Sequence, residues 1–580
     1  MTKHLWRQRA RIIWVLGCTI YLFSMVAAAQ PRHISYQLEP VTDETGLRFR
    51  IELNFTGHEA GRTELILPSR SANETRLYEA IQRLEISPSS INVADTSEPW
   101  VKVLTHEPGA AIRVRYELVQ DRADALQAQR GAGFRPVLQR NYFHWLGNAW
   151  VRPGLEEADQ FSFTLTWKNL PPDWVISHTF GSNLSGGDFR QQQFTASLRA
   201  FTSSVFVGGD FRLRTVTVKE QPVRIALRGA WGFTDDEFAA LVEKIFLLQR
   251  SFWNDFEYPD YLVTLLPLEA MPGGAANSGT GLNRSFATFA TPNCTLDDFN
   301  YLLAHELFHN WNARRLGRIQ EPQELMYWFS EGFTDYYSYR LLWRGGLITL
   351  DEYVTKFNEA LRQYYTSPLR HESNERIARE FFSNTALSRL AYARGRLLAA
   401  NWDALIRTNS GGKHSLDDVM RDLYRSGISQ ELNAATISAA VQRYAQTDVL
   451  PDIKRIIDGG ELPAPHSQLF GTCATLATVE VADYELGFDL DALQAKMQMQ
   501  GVVPQSAAYR AGLRDGQRVT KRMPIAVGKA EHEIELTVKD GNKEKTIRFF
   551  PAGNNRTKVP QFKLASTRNA EQKAQCDRAF

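Results

Sequence analysis

The stretch His305-Glu306-Leu307-Phe308-His309 is followed, further along the chain, by Glu331-Gly332-Phe333-Thr334-Asp335. On a helix, two residues four positions apart lie on one face, about one turn from each other. That spacing lets the imidazoles of His305 and His309 reach one Zn²⁺ ion, while Glu306 faces the water on the metal as general base. The stretch therefore predicts a catalytic zinc site, which needs a third protein ligand and one open position.

The flanking residues predict that both segments are buried helices. Tyr301-Leu302-Leu303-Ala304 makes the first segment apolar, and Asp297 and Asp298 are acids suited to its first turn. The third ligand is predicted to be Glu331, within the apolar run Tyr327-Trp328-Phe329-Ser330-Glu331-Gly332-Phe333. The alternative is a partly exposed helix whose two histidines are only structural.

The residues around these motifs, His305-Glu306-Leu307-Phe308-His309-Asn310-Trp311-Asn312 and Trp328-Phe329-Ser330-Glu331-Gly332-Phe333-Thr334-Asp335-Tyr336-Tyr337, resemble the glycyl aminopeptidase family of thermolysin-like zinc metallopeptidases. The resemblance implies that His305, His309 and Glu331 hold a single Zn²⁺ and that Glu306 is the base. It also implies that Asp335 accepts a hydrogen bond from a ligand histidine, as such ligands usually require. The alternative for Asp335 is a solvated helix residue.

The same resemblance implies an edge strand before the zinc helix that binds the main chain of a peptide substrate. Ser285 to Ala290 are the candidates for that strand, and Gly279, Gly281 and Ser285 are the candidate substrate-binding residues. Family members carry an acid for the substrate amine in a Gly-Gly-x-Glu pattern. This chain has Gly273-Gly274-Ala275-Ala276 there, with no carboxylate between Glu269 and Asp297, so aminopeptidase and endopeptidase both stay open.

Peptide hydrolysis needs a second donor, besides the metal, to stabilise the oxyanion that forms when water adds to the substrate carbonyl. Tyr392-Ala393-Arg394-Gly395 resembles the family's Tyr-x-Lys-Gly signature, which implies this role for Tyr392. The alternative is a tyrosine of the hydrophobic core. Arg394 stands where the family has lysine, which keeps the charge but changes the geometry.

Composition and periodicity predict a multidomain α+β protein with well-formed hydrophobic cores. Residues 30–228 alternate apolar and polar side chains with period two, which predicts a β-sandwich-like N-terminal domain. Residues 229–460 begin with a helical period over Asp235 to Trp253. The family resemblance implies that they form the catalytic domain, thermolysin-like and mostly helical. The formal net charge of +2 gives no argument for nucleic acid binding.

The C-terminal region resembles a PDZ domain, predicted over residues 461–552. Leu486-Gly487-Phe488-Asp489-Leu490 resembles the carboxylate-binding loop of PDZ domains, and the segment from Gly501 to Gly516 resembles a second PDZ stretch. The resemblance implies that a peptide C-terminus binds the loop and adds to a sheet edge. Residues 553–580 are polar and basic, and are predicted to be a poorly packed tail held by Cys576.

Residues 1–29 predict export to the periplasm or the exterior. A basic start, the apolar run from Ile12 to Phe23 and Ala27-Ala28-Ala29 form a secretory signal peptide. The alternative is an uncleaved anchor helix. No later segment is long and apolar enough to span a membrane. An oxidising compartment permits one disulfide among Cys294, Cys473 and Cys576, and we expect the pair Cys473–Cys576; the alternative is three free thiols.

Two classes of function are compatible with these features. The first is an exported zinc metallopeptidase that acts on peptide or protein substrates, as an aminopeptidase, an endopeptidase or a carboxyl-end-directed peptidase. The second is a non-catalytic peptide-binding or scaffold protein on a protease fold that uses its PDZ-like domain. Intact ligands and an intact base favour the enzyme. The departures from the family pattern in the amine-binding loop and in the PDZ-like domain leave the scaffold hypothesis open.

Overall fold

The N-terminal part of the chain is built from strands. The structure is a computed structural model, and it describes residues 32–44, 46–71, 74–123, 126–127, 133–182, 190–257, 260–270, 275–312, 314–522, 525–541, 543–565 and 576. The predicted signal peptide, residues 1–29, lies outside the described residues. The first seventeen strands are β1 (Arg32–Asp43), β2 (Gly46–Thr56), β3 (Arg62–Ile66), β4 (Arg70–Ser71), β5 (Glu74–Thr75), β6 (Ile81–Ser87), β7 (Asn92–Asp95), β8 (Val101–Thr105), β9 (Ala111–Val119), β10 (Val137–Gln139), β11 (Tyr142–Leu146), β12 (Arg152–Gly154), β13 (Gln160–Trp167), β14 (Val175–His178), β15 (Gly181–Ser182), β16 (Gln191–Ser197) and β17 (Val205–Gly209).

These strands form layered sheets around one aromatic core. The larger sheets have the orders β16-β13-β1-β2-β9-β6, β10-β11-β17-β14-β15 and β12-β3-β8-β7. Alternate residues of β2 are buried, among them Phe49, Ile51 and Leu53. They pack against Phe143 and Trp145 of the second sheet, whose rings are 4.9 and 5.0 Å from that of Phe49. A short helix, α1 (Leu198–Thr202), closes this core through Phe201.

The next sheet belongs to the part of the chain that carries the zinc motif. Its strands are β18 (Arg212–Val218), β19 (Gln221–Leu227), β20 (Tyr261–Pro267), β21 (Asn277–Leu282) and β22 (Ser285–Ala290), in the order β18-β19-β20-β22-β21. The first two were assigned by their alternation to the N-terminal domain ending at residue 228. That assignment is corrected here, because alternation shows that a segment is a strand but not which sheet it joins.

Helices cover one face of this sheet. They are α2 (Asp235–Trp253), α3 (Asp297–Phe308), α4 (Tyr327–Ser330), α5 (Gly332–Arg344), α6 (Leu350–Thr366), α7 (Asn374–Glu380), α8 (Thr385–Asn409), α9 (Leu416–Ser426), α10 (Ala434–Ala445) and α11 (Leu450–Asp452), with a small sheet of β23 (Arg318–Ile319) and β24 (Glu431–Leu432). Helix α2 has the predicted bounds, and a capping box between Thr234 and Glu237 begins it. The other face of the sheet packs on the N-terminal part through Leu262, Leu266 and Phe289.

A smaller α+β unit follows. Its elements are β25 (Ala474–Tyr484), α12 (Leu490–Lys496), α13 (Ala507–Ala511), β26 (Arg518–Arg522), β27 (Ile534–Asp540), β28 (Lys543–Phe549) and β29 (Ala552–Leu564). Residues 486–549 have their own core, which includes Leu493, Leu513 and Leu536. Below, this region is called the C-terminal unit.

Two long strands, β25 and β29, connect the C-terminal unit to the helices. They pair with each other, and Val559 and Phe562 of β29 are buried in the core of the helical part. Asn358 of α6 both donates to the Phe562 carbonyl and accepts from the Phe562 amide, at 2.8 Å each. Residues 553–564, predicted to be part of a poorly packed tail, are therefore an ordered strand. The segment is polar on average, so its composition did not indicate that two apolar residues would anchor it in the core.

The cysteines of the described chain form one disulfide. Cys473 and Cys576 are bonded, as predicted, across 103 residues of sequence. Cys294 is a buried free thiol. Among the helices in the described ranges, none combines the length and the apolar character that crossing a membrane requires.

Candidate metal centre and active site

Three predicted ligands come together at one point. His305 lies in α3, His309 directly follows it, and Glu331 stands between α4 and α5. The Nε2 atoms of His305 and His309 are 3.1 Å apart, and Glu331 Oε2 is 3.2 Å from the first and 3.4 Å from the second. Two imidazole nitrogens and a carboxylate oxygen are the ligand types of catalytic zinc, so these residues fit one zinc ion.

The electrostatics of the three ligands favour a positive charge between them. Burial raises the pKa of Glu331, but the charge of His309 and hydrogen bonds to His305 and His309 outweigh burial and hold that pKa well below its ordinary value. Burial lowers the pKa of His309, but the Glu331 carboxylate outweighs it and raises the pKa overall. A site that attracts a proton in this way also attracts a metal cation.

Glu306 is held by the edge strand of the sheet. Its Oε2 accepts a hydrogen bond of 2.8 Å from the amide of Gly281 in β21. A Cβ at Gly281 would lie 2.9 Å from the Glu306 carbonyl oxygen, so the strand and helix approach this closely only with glycine there. The carbonyl of Gly281 accepts from Arg314 at 2.6 Å. The second carboxylate oxygen of Glu306 has no hydrogen bond to the described part of the chain.

The strand predicted from the sequence to bind substrate is not the edge strand of its sheet. Ser285–Ala290 is β22, which is paired on both sides, and the edge strand is β21, which contains Gly279 and Gly281. The amide and carbonyl of Gly281 are already bound to Glu306 and Arg314. Ser285 is fully buried, donates to the Asn283 carbonyl at 3.0 Å and accepts from Thr179 at 2.9 Å. It is therefore not available to substrate. The glycine-rich composition favoured a loop where the structure has the edge strand.

Asp335 supports His305 through another residue rather than directly. Tyr301 Oη lies 3.2 Å from His305 Nδ1 and donates to Asp335 Oδ1 at 2.6 Å. Arg396 Nη1 donates to the other oxygen of Asp335 at 3.3 Å. The direct bond to a ligand histidine expected for Asp335 is thus replaced by a bond through Tyr301.

The sequence offered one signal for Tyr301, which the prediction missed. Tyr301 is four residues before His305, so the two side chains lie on one face of α3. The other ligand has a different partner: His309 Nδ1 lies 3.1 Å from the Asn312 carbonyl oxygen. No sequence pattern indicated that Arg396 or the Asn312 carbonyl would serve this site.

Tyr392 lies beside the ligands, and its role toward the oxyanion stays a prediction. Its ring stacks on His305 with 5.9 Å between the centroids. Burial raises its pKa well above the ordinary value, and the negative charges of Glu331 and Glu306 raise it further. Tyr392 therefore keeps its proton at neutral pH and can donate it in a hydrogen bond. Arg394 is buried away from the site, where it donates to the Arg370, Glu372 and Ile457 carbonyls and to Tyr364.

Glycines bring Glu331 and Tyr392 together. A Cβ on Gly395 would lie 1.7 Å from the Trp328 carbonyl oxygen, and a Cβ on Gly332 would lie 2.4 Å from the Gly395 Cα. Helix α8 therefore touches the α4–α5 junction backbone to backbone. Because Gly332 follows Glu331 and Gly395 is three residues after Tyr392, this contact sets the distance between the ligand and the tyrosine.

A cavity of about 1170 Å³ lies next to the metal centre, against residues that surround the ligands rather than the ligands themselves. Tyr301, Asp335 and Tyr392 line it near the ligands, and Gly487 and Val503 of the C-terminal unit line it farther away. It exceeds the usual range for a drug-sized ligand, about 300–1,000 Å³. The space suits an extended ligand.

Comparisons with known proteins agree with the site. Residues 298–393 match the family model of the M61 glycyl aminopeptidases. This match confirms the predicted resemblance and supports the predicted enzyme class, a zinc metallopeptidase with one zinc ion. No curated protein matches the sequence.

The chain is similar to several solved structures, and the first of those described here shares its fold. An aminopeptidase N family protein from Idiomarina loihiensis is similar at 17% identity and a TM-score of 0.68, over 94% of this chain and 99% of that one. An M1 zinc metallopeptidase from Deinococcus radiodurans, bound to a Tyr-Ser-Ala substrate, is similar at 16% identity and a TM-score of 0.47, over 75% of this chain and 96% of that one.

Proposed function

We propose that this chain is a zinc metallopeptidase that hydrolyses peptide bonds, with His305, His309 and Glu331 as ligands and Glu306 as general base. The observation that carries the proposal is the convergence of the three ligand atoms, which all lie within 4.8 Å of one another, beside Glu306. The family match over residues 298–393 includes all four residues.

Each residue of the site has its own role in the proposed hydrolysis. Zinc, when bound, supplies a Lewis acid that lowers the pKa of water to about 7 and polarises the substrate carbonyl. Glu306 takes the proton from water through its free carboxylate oxygen and returns it to the leaving amine. Tyr392 donates its hydroxyl proton in a hydrogen bond to the developing oxyanion. The edge strand β21, with Gly279, pairs with the substrate main chain.

The test is to measure zinc content and hydrolysis of a mixed peptide library for the protein and for Glu306→Gln. We expect one zinc per chain in both and a loss of activity of at least about a thousandfold in the variant, because the base is removed while the ligands remain. Glu243→Gln, an exposed site on α2, is the matched control. Folded protein without zinc, or full activity in Glu306→Gln, would refute the proposal.

The cleavage positions in the same library decide between the peptidase types. The family that matches is named for aminopeptidases, and we propose removal of N-terminal residues as the activity to test first. The acid that would bind the substrate amine is absent from its expected place, and residues 271–274 lie outside the described part of the chain. Internal cleavage would assign an endopeptidase instead.

We also propose that the C-terminal unit is PDZ-like and that the protein is exported. The amides of Leu486, Gly487 and Phe488 have no hydrogen-bond partner in the described ranges, which supports binding of a peptide carboxylate there. The Cys473–Cys576 disulfide supports an oxidising compartment. The scaffold alternative is not favoured, since the ligands and the base are assembled. Detection of the mature protein in a periplasmic or secreted fraction tests export.

A further inference from the structure

One face of helix α8 forms a wall of the cavity between the metal centre and the C-terminal unit. Ala386, Arg389, Leu390 and Ala393 line it at helical spacing, and Tyr392 joins them at the metal end. Arg389 is three residues before Tyr392, which is about 4.5 Å along the helix axis. Its guanidinium can therefore reach a substrate within a few residues of the bond that is cut, since each extended residue spans about 3.3–3.6 Å.

Arg389 differs from the other arginines of helix α8 in having no hydrogen-bond or ion-pair partner among the described residues. Arg394 donates to four oxygens, Arg396 to Asp335 and Arg407 to Asp403. Within the described residues, Arg389 makes neither a hydrogen bond nor an ion pair. Its side chain is exposed and lines the cavity. Burial by the cavity walls nonetheless lowers its pKa, and the charges of Tyr484 and Asp491 do not offset this.

Most acids of the cavity are already engaged with other groups. Asp491 accepts from the Thr385 amide and hydroxyl at 3.2 and 2.6 Å, and Asp489 accepts from the amide of Ala492 at the start of α12. Glu359 is paired with two lysines.

The remaining acids of the cavity also form no hydrogen bond or ion pair with Arg389 within the described residues. Asp335 is bound by Arg396 and Tyr301, and Asp483 accepts from Thr557. Glu485, which also lines the cavity, forms no hydrogen bond or ion pair with Arg389 in the described part of the chain. The cavity thus leaves one arginine free for a ligand.

We infer that Arg389 binds a carboxylate of the peptide substrate, either its C-terminal carboxylate or an acidic side chain close to the scissile bond. A guanidinium presents paired donors that match a carboxylate, and a partly desolvated cation without a partner gains from an anion. The inference rests on the proposed function in one respect, that the cavity holds a peptide.

Binding to the zinc-loaded Glu306→Gln protein tests the inference without cleavage. Two peptide pairs are compared: a free C-terminal acid against its amide, and an internal Asp against Asn with the C-terminus amidated. Each is measured in the Glu306→Gln background alone and with Arg389→Gln, Arg389→Lys or, as control, Arg379→Gln. Arg379 is an exposed arginine of α7 that pairs with Glu380.

We expect one acid-bearing peptide to bind at least about tenfold more tightly than its neutral partner, which corresponds to about 1.4 kcal/mol. In Arg389→Gln, the acid-bearing peptide should bind no more tightly than its neutral partner. The dissociation constant of the neutral peptide should stay unchanged, and this result also shows that the variant is folded. Arg389→Lys should keep part of the ratio, and Arg379→Gln all of it. The pair that shows the preference identifies the source of the carboxylate.

Two results would overturn the inference: equal affinities within both pairs, or a preference that survives Arg389→Gln. Cleavage by the protein with Glu306 intact is measured separately. If no peptide is cut, the proposed function fails, and the binding ratios still decide whether Arg389 recognises a carboxylate.

Discussion

At the scale of single residues, the side chains that would bind zinc could be predicted, and those that orient them could not. The spacing of His305 and His309 is dictated by the helix, and the sequence shows it directly. Tyr301 and Arg396 both belong to the site because they bind Asp335. The first contact joins residues 34 positions apart in sequence, and the second joins residues 61 positions apart. Contacts between residues so far apart in sequence depend on how the chain packs, and a local sequence pattern does not predict that packing.

The bond from Tyr301 to His305 predicts an effect on metal affinity. Tyr301→Phe removes the hydroxyl between His305 and Asp335, so the imidazole loses its orienting partner. We expect zinc to bind about tenfold to a hundredfold more weakly, measured by competition with a chelator. Tyr339→Phe is the matched control, because its ring stacks on Tyr301 at 4.8 Å. Unchanged zinc affinity in Tyr301→Phe would contradict the arrangement.

At the scale of elements, periodicity predicted the existence of helices and strands better than their partners. Helix α2 has its predicted bounds because Thr234 and Glu237 cap it locally. Strand β21 was not predicted, since glycine-rich segments are atypical of strands. Its glycines are required by the close approach of α3, which is a property of the packed structure.

The contact between α8 and the α4–α5 junction predicts the effect of one methyl group. Gly395→Ala would place a Cβ against the Trp328 carbonyl and push the two helices apart. We expect a loss of about 1–3 kcal/mol in the free energy of unfolding, measured by chemical denaturation. Zinc affinity and activity should fall with it, because Glu331 and Tyr392 move apart. Gly232→Ala, where the added Cβ meets nothing within 4 Å, is the control; equal effects of the two substitutions would contradict this account.

At the scale of the whole molecule, a β-rich N-terminal region, a helical region and a small C-terminal unit succeed one another as the composition predicts. The boundaries were less predictable. Strands β18 and β19 join the sheet of the helical region, and β29 returns from the C-terminal unit to pack on α6. In both places the chain crosses from one core to another without a change in its local pattern.

The disulfide that closes the C-terminal unit predicts a stability difference. We expect Cys473→Ser to lower the free energy of unfolding by about 2–5 kcal/mol, because the bond restricts a long loop in the unfolded chain. Denaturation with and without a reductant provides the measurement. The reductant should destabilise the wild type to the level of the variant and leave the variant unchanged. A variant as stable as the oxidised wild type would contradict the prediction.

The bond between Cys473 and Cys576 also has a consequence for damage to the protein. A single cut of the backbone anywhere between these two residues leaves both fragments in one covalent molecule. The fragment after the cut still includes Cys576, and any cut before β29 also leaves Val559 and Phe562 seated in the helical core. In denaturing gel electrophoresis, a nicked molecule would migrate with the mass of the intact protein until its disulfide was reduced. The protein could thus lose the continuity of its chain and keep its shape.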